Sequence, residues 1–279
     1  MLPDFPKARP IFSAGEPFDG LRKLAETFSA FRSLDQLFLE QQERIAEVAK
    51  AFRSPGEVLL GQQERIVESL AAFDRAIQSR YPQLEAACDR LALLGWTMPT
   101  RFSVLDFVSS SGAFVSFADA SRTDQDIDAM LTAFYSDSDC KQLRAVERDL
   151  TTSSTLGTRK LLLEEAFEAF YRGRHQIPVP ALVATIEGLI ATETGNLQSR
   201  SVAVKAFVAA REALAKPRTL ECLTWYSVRK WIEQLFASSD FSGPLPPRIN
   251  RHWILHGRDT GPWNMADSVR LFAALHTMV

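Results

Sequence analysis

No stretch of 18 consecutive residues is both apolar and free of charge, so no membrane-spanning helix is expected. Cysteine is scarce: Cys88, Cys140 and Cys222 are three, an odd number, and far apart. That spacing argues against a disulfide framework and against a zinc knuckle, and it favours free thiols in a reducing compartment. Neither sign of charge dominates. The 32 basic and 34 acidic side chains leave a net charge of −2, without the basic excess of a protein that coats nucleic acid. The opening Met1-Leu2-Pro3-Asp4-Phe5-Pro6 lacks the basic segment and apolar run of a signal peptide. Together these features place the protein in the cytoplasm, away from membranes. There is also no glycine-rich phosphate loop and no Gly-x-Ser-x-Gly elbow.

What the sequence does have is helical periodicity. Its 279 residues, 46% of them hydrophobic, are enough for one large domain or two modest ones. Ile45, Val48, Ala49 and Phe52 fall at i, i+3, i+4 and i+7, and Ile66, Leu70, Phe73 and Ile77 make a similar stripe. Gln41-Gln42-Glu43-Arg44-Ile45 recurs as Gln62-Gln63-Glu64-Arg65-Ile66, and Ala51-Phe52 as Ala72-Phe73 at the same offset. The offset of 21 is three heptads, as in a coiled coil or helical hairpin; chance similarity of two amphipathic helices gives the same pattern. Ser54-Pro55-Gly56 separates the copies as a helix breaker, and Pro82 is expected to open a further helix that ends near Gly95. Residues 104–117 read as a helix or a short strand pair. Thr123 and Ser138 are candidate caps for helices near Asp124–Tyr135 and Asp139–Leu150. Leu163, Phe167 and Phe170 share one face of a helix that ends at Gly173. Pro178 and Pro180 introduce a helix through Ala181–Thr192 that is apolar nearly all round and therefore central. Helices near Val202–Ala215 and Thr219–Phe236 follow. Ser242–Pro247 is a stiff loop, and Asn264 caps a last helix to Met278. The expected fold is all-α: an N-terminal helical hairpin or coiled-coil arm over residues 1–95, with the first 16 or so disordered, then a helical bundle over 96–279.

The chemistry concentrates near the C-terminus. His252 and His256 share a short block with Arg248, Arg251 and Arg258. An imidazole moves protons near neutral pH, and a guanidinium forks onto phosphate. That combination suits RNA cleavage without a metal, one imidazole taking the ribose 2′-OH proton while cations stabilise charge on phosphorus. Zinc is the rival use of His252 and His256, four residues apart, with Asp259 as a third ligand. Trp253 stands where a His-Glu-x-x-His site needs glutamate, and no cysteine is near, so no metal is expected. Glu187, a carboxylate on the central apolar helix, needs a partner, and a basic residue of the C-terminal block is the natural one. His175 reads as a turn residue.

Arg251-His252-Trp253-Ile254-Leu255-His256 resembles the Arg, polar residue, spacer, His motif of HEPN domains. Leu94-Gly95-Trp96-Thr97-Met98-Pro99, Glu165-Ala166-Phe167-Glu168-Ala169-Phe170 and Ile177-Pro178-Val179-Pro180-Ala181-Leu182 with Ile186-Glu187-Gly188 resemble segments of uncharacterised bacterial proteins with that motif, so the resemblance runs over about residues 94–279. It implies an all-α bundle and a metal-independent endoribonuclease of toxin or antiviral systems, with no cofactor. It further implies two domains facing each other in a homodimer, an RNA substrate, and an antitoxin or regulatory partner. Arg251 would bind phosphate, His256 would transfer the proton and His252 would assist, with Arg248, Asn250 and Arg258 toward the substrate and Glu187 orienting or structural. Arg251 and His256 are expected to be exposed beside a groove. In a continuous helix they would be turned about 140° apart, so the site needs a second subunit or a helix that stops before His256. The alternative is a non-catalytic protein that dimerises through its arm and bundle.

Overall fold

The computed structural model describes residues 55–109, 112–195, 200–238 and 240–279, and every regular element among them is helical. The fold is all-α. The chain divides into two compact units at Glu68/Ser69. The repeat at Gln41, the stripe Ile45–Phe52 and the first 16 residues lie outside the described residues.

Helix α1 (Pro55–Leu93) starts on Pro55 and runs through Pro82 without a break, where the sequence predicts a separate helix. A proline inside a helix costs about 3 kcal/mol, through its missing N–H and a clash with the preceding turn. Here Ile77, Leu84 and Leu91 are buried on one face of that helix with Tyr81 and Cys88, and each apolar side chain returns about 1.5–3 kcal/mol, which outweighs the defect. The last third of α1 is thus part of the core of the second unit, rather than of an arm ending at residue 95. In the first unit, Arg65–Glu68 of α1 are exposed.

The remaining elements of the second unit are α2 (Val104–Val108), α3 (Asp124–Thr152), α4 (Lys160–Tyr171), α5 (Pro178–Glu193), α6 (Arg200–Glu212), α7 (Leu220–Leu235), α8 (Arg251–Leu255) and α9 (Met265–Met278). The segment read as helix or strand pair is α2 and a short 3-10 turn, Val115–Ala118. Thr123 caps α3 reciprocally with Asp126, and Asn264 does the same with Asp267 at α9. The α3 span is two helices meeting at a kink, as the sequence predicts: its backbone leaves helical geometry over Asp137–Cys140.

Helix α5 packs against α4, α6, α8 and α9. Val179, Leu182, Val183, Ile186, Leu189 and Ile190 are all buried, as their all-round apolar pattern predicts. Helix α9 is the second internal helix, buried from Ser268 to Leu275 despite its polar members. Arg270 pairs through its two terminal nitrogens with Asp128 and Asp267, its buried Nε has no hydrogen-bond partner among the described residues, and its guanidinium lies 5.5 Å from the Trp96 ring. Phe167 of α4 stacks on Phe272 at 3.9 Å.

The strap Leu94–Pro99 ties these layers. Gly95 has φ +83°, and a Cβ there would come within 3.2 Å of the Arg270 side chain. Trp96 donates to Asp128 (2.8 Å), the Met98 amide to Ser227 (2.7 Å), and Thr97 pairs with Thr277 (3.0 Å). This motif holds the bundle together rather than presenting chemistry.

Candidate functional site

The C-terminal block is built on a very short helix. After the loop 242–247, Asn250 caps α8: its side-chain oxygen accepts from the His252 and Trp253 amides (3.0 and 3.3 Å). Its amide nitrogen donates to the Ala237 carbonyl (2.9 Å), which fastens α8 to the end of α7. Trp253 and Ile254 are core residues. The helix stops at Leu255, so His256 is its C-terminal cap, and Gly257 takes φ +65° to turn the chain. The Arg258 and Asp259 amides then donate back to the Trp253 carbonyl (2.8 and 3.1 Å). The helix thus ends before His256, one of the two conditions that the motif's spacing sets.

Arg251 points inward. It is 5% exposed, where the sequence predicts an exposed groove residue. Its Nε donates to Glu187 Oε2 (2.8 Å) and its Nη2 to Oε1 (2.7 Å). This is a fork on a carboxylate of the central helix, so Glu187 meets a basic residue of the block, and the fork that a phosphate would take is engaged within the chain. The burial follows from packing: α8 rests on α5, and Arg251, Trp253 and Ile254 are its buried residues.

The two imidazoles face the other way. Their ring centres are 4.7 Å apart, as four-residue spacing predicts. Phe241 joins them: its ring lies parallel to His252 at 4.4 Å, meets His256 edge-on at 5.5 Å, and lies 5.2 Å from the Arg258 guanidinium. His256 and Arg258 are exposed and His252 is half-buried. Phe241 is the residue that the sequence reading omits; the available signal was an aromatic side chain in the polar loop Asp240-Phe241-Ser242-Gly243 just ahead of the histidines.

His252 and Arg251 also close one end of a groove of about 460 Å³ between α6 and α7. Val204, Val208, Ile232 and Phe236 make it mostly apolar, and Lys205 and Glu233 stand at its sides. Arg248 belongs elsewhere. It is exposed, sits 3.4 Å from the Leu93 carbonyl and lines a small recess with Gly95, Trp231 and Arg270. His175 packs on Phe170 at 5.1 Å, and burial lowers its pKa from the usual range, against the opposing pull of Asp267. The Asp259 carboxylate accepts from the Gly261 amide (3.0 Å) and the Trp263 indole (3.3 Å). Among the described residues no group of three His, Cys, Asp or Glu is placed to share a metal ion.

The arrangement supplies proton carriers at His252 and His256, a cation at Arg258 and an aromatic face at Phe241, next to a concave surface. Such a set suits a phosphodiester flanked by a base. No protein family model, no curated protein and no solved structure matches this chain. Among the described residues no helix is long and apolar enough to cross a membrane.

Proposed function

We propose that the chain is a metal-independent endoribonuclease of the HEPN type, whose reacting groups are His256 and His252. The observation that carries this reading is the end of α8 at Leu255, which leaves two imidazoles 4.7 Å apart beside the exposed Arg258. His256, the more exposed ring, takes the ribose 2′-OH proton, and the freed oxygen attacks the neighbouring phosphorus. His252 assists or protonates the leaving 5′-oxygen. The bond to that oxygen breaks, and a 2′,3′-cyclic phosphate remains. Arg258 offsets charge developing on the phosphoryl oxygens. Arg251 acts by position in a single chain: its fork on Glu187 sets the rotation of α8 and hence which way the histidines face. Asn250 works similarly through its cap. Bacterial defence, with an antitoxin or regulatory partner, is the setting that the motif resemblance suggests, and a homodimer is the expected assembly. The test is an RNA oligonucleotide with a single internal 2′-deoxy position, incubated with the purified chain in excess chelator. Cleavage everywhere except at that position, with cyclic phosphate ends, supports the reading; cleavage at the 2′-deoxy position, or only with added metal, contradicts it.

A second reading is favoured by the buried Arg251–Glu187 pair and the apolar groove: a non-catalytic interaction protein. It expects no cleavage by the wild-type chain. Light scattering at micromolar concentration tests the dimer, which both readings expect.

A further inference from the structure

A second groove, of about 550 Å³, shares no residue with the histidine cluster. Four cations line it, Arg101, Lys141, Arg144 and Arg148, against one carboxylate, Asp139. In a chain of net charge −2 this is a local concentration of positive charge. Lys141, Arg144 and Arg148 stand at i, i+3 and i+7 on the second limb of α3, so they share a face. Like charges at such spacing oppose one another by about 0.2–0.5 kcal/mol per pair, so the helix gains nothing from the stripe.

Two of the four cations are held in place. The Arg144 guanidinium lies 4.6 Å from the centre of the Tyr171 ring, and its Nε donates to the Asp139 carbonyl (3.1 Å). The Asp139 carboxylate is 3.8 Å away and exposed, a weak pairing. Arg101 donates to Asp149 (3.1 Å), which His276 also contacts (3.2 Å). Lys141 and Arg148 are exposed, and no acidic partner of either is found among the described residues. From Lys141 to Arg148 the helix rises about 10 Å, longer than a single phosphate and suited to two or more in a row.

We propose that this groove binds linked phosphate groups, the chemistry shared by a single-stranded nucleic-acid backbone and a linear polyphosphate. Arg101 and Arg144 are fixed hydrogen-bond donors, and Lys141 and Arg148 are free to follow the chain of charges. The proposal does not depend on whether the histidines cut RNA.

The test uses the full chain and a fluorescent oligodeoxythymidylate of about ten nucleotides. This probe has no 2′-OH to react, so loss of binding and loss of cleavage stay distinguishable. Anisotropy at about 50 mM salt is expected to show binding that weakens with salt, with a slope near −0.7 per phosphate contacted. The double variant Lys141→Ala/Arg148→Ala removes two exposed side chains and should melt like the wild type. It is expected to lose about tenfold or more in affinity, with a salt slope shallower by about 1.4. Arg172→Ala, an exposed arginine outside the groove, should bind unchanged. Sodium tripolyphosphate is the competitor. Displacement at micromolar concentration assigns the site to free polyphosphate, and displacement only at millimolar concentration assigns it to nucleic acid; both support the proposal. No binding by the wild type, equal affinity of the double variant, or an equal loss from Arg172→Ala would overturn it.

Discussion

Replacing Glu187 by alanine should unfold the second unit far more readily than an ordinary surface change. The Arg251 side chain is 6% exposed and that of Glu187 21%, and the carboxylate offsets the buried Arg251 charge through two short bonds that Arg251 donates. Removing one partner of a buried pair costs about 3–5 kcal/mol, because the remaining charge stays out of water. Glu187 keeps some contact with solvent, which places the expected loss at the lower end, about 3 kcal/mol. For a unit of about 200 residues each kcal/mol lowers Tm by about 2–4 °C, so a fall of about 6–12 °C is expected. Arg251→Met alone leaves the Glu187 carboxylate partly in contact with solvent, and should cost less. The double variant Glu187→Leu/Arg251→Met should recover most of the loss, since apolar side chains of similar size replace a desolvated pair at little net cost. Urea unfolding of the wild type, both single variants and the double variant gives the coupling directly. A Glu187→Ala loss under about 1 kcal/mol, or strictly additive single losses, would refute the account of Arg251 as a buried positioning residue.

Asn250→Ala should cost about 1–2 kcal/mol by uncapping α8, and Asn250→Asp should destabilise as well although it keeps the accepting oxygen, because it sets a buried carboxylate oxygen against the Ala237 carbonyl; urea midpoints measure both. Phe167→Ala should cost about 3–5 kcal/mol, read in the same way, because the ring is fully buried against Phe272. Burial lowers the pKa of His276, outweighing the opposing pull of Asp149, and burial lowers that of His175 too. The native state therefore holds fewer protons than the unfolded chain, whose histidines titrate near 6.5. The stability these neutral rings contribute is complete above about pH 6.5 and falls away as pH drops through their lower folded values. Tm should decline from pH 7.5 towards about 5.5, and His175→Gln/His276→Gln should flatten that decline; an unchanged slope would count against it.

The elements of this fold that punctuation residues mark are the ones the sequence displays. Thr123 and Asn264 cap where capping chemistry requires, and Pro178 opens α5. The apolar circumference of α5 announces its central place, and with it the need of Glu187 for a cation. Tertiary burial decided the rest. Pro82 reads as a start because local propensity disfavours it inside a helix, yet the face from Ile77 to Leu91 carries α1 through. Helix α9 looks amphipathic because Ser268, Arg270 and Thr277 are polar, and the partners that let Arg270 and Thr277 be buried lie far away in sequence at Asp128 and Thr97. At the site, four-residue spacing predicts that His252 and His256 meet, and they do. Spacing does not tell which face of α8 turns to α5, so the burial of Arg251 was hidden. The place of Phe241 was hidden for another reason: a loop has no period from which to read a direction.

The central claim is that His256 does chemistry at the surface while Arg251 holds the helix beneath it. The measurement that bears on it most directly is single-turnover RNA cleavage by His256→Ala, in chelator, beside its thermal melt. His256 is exposed and caps α8 through its backbone, so its side chain contributes little to stability. The variant should lose under about 0.5 kcal/mol of stability, as for a surface change, and should cleave about 100- to 10,000-fold more slowly than a wild type that cleaves. A wild type that leaves RNA intact, or a variant that cleaves at the wild-type rate, would contradict it.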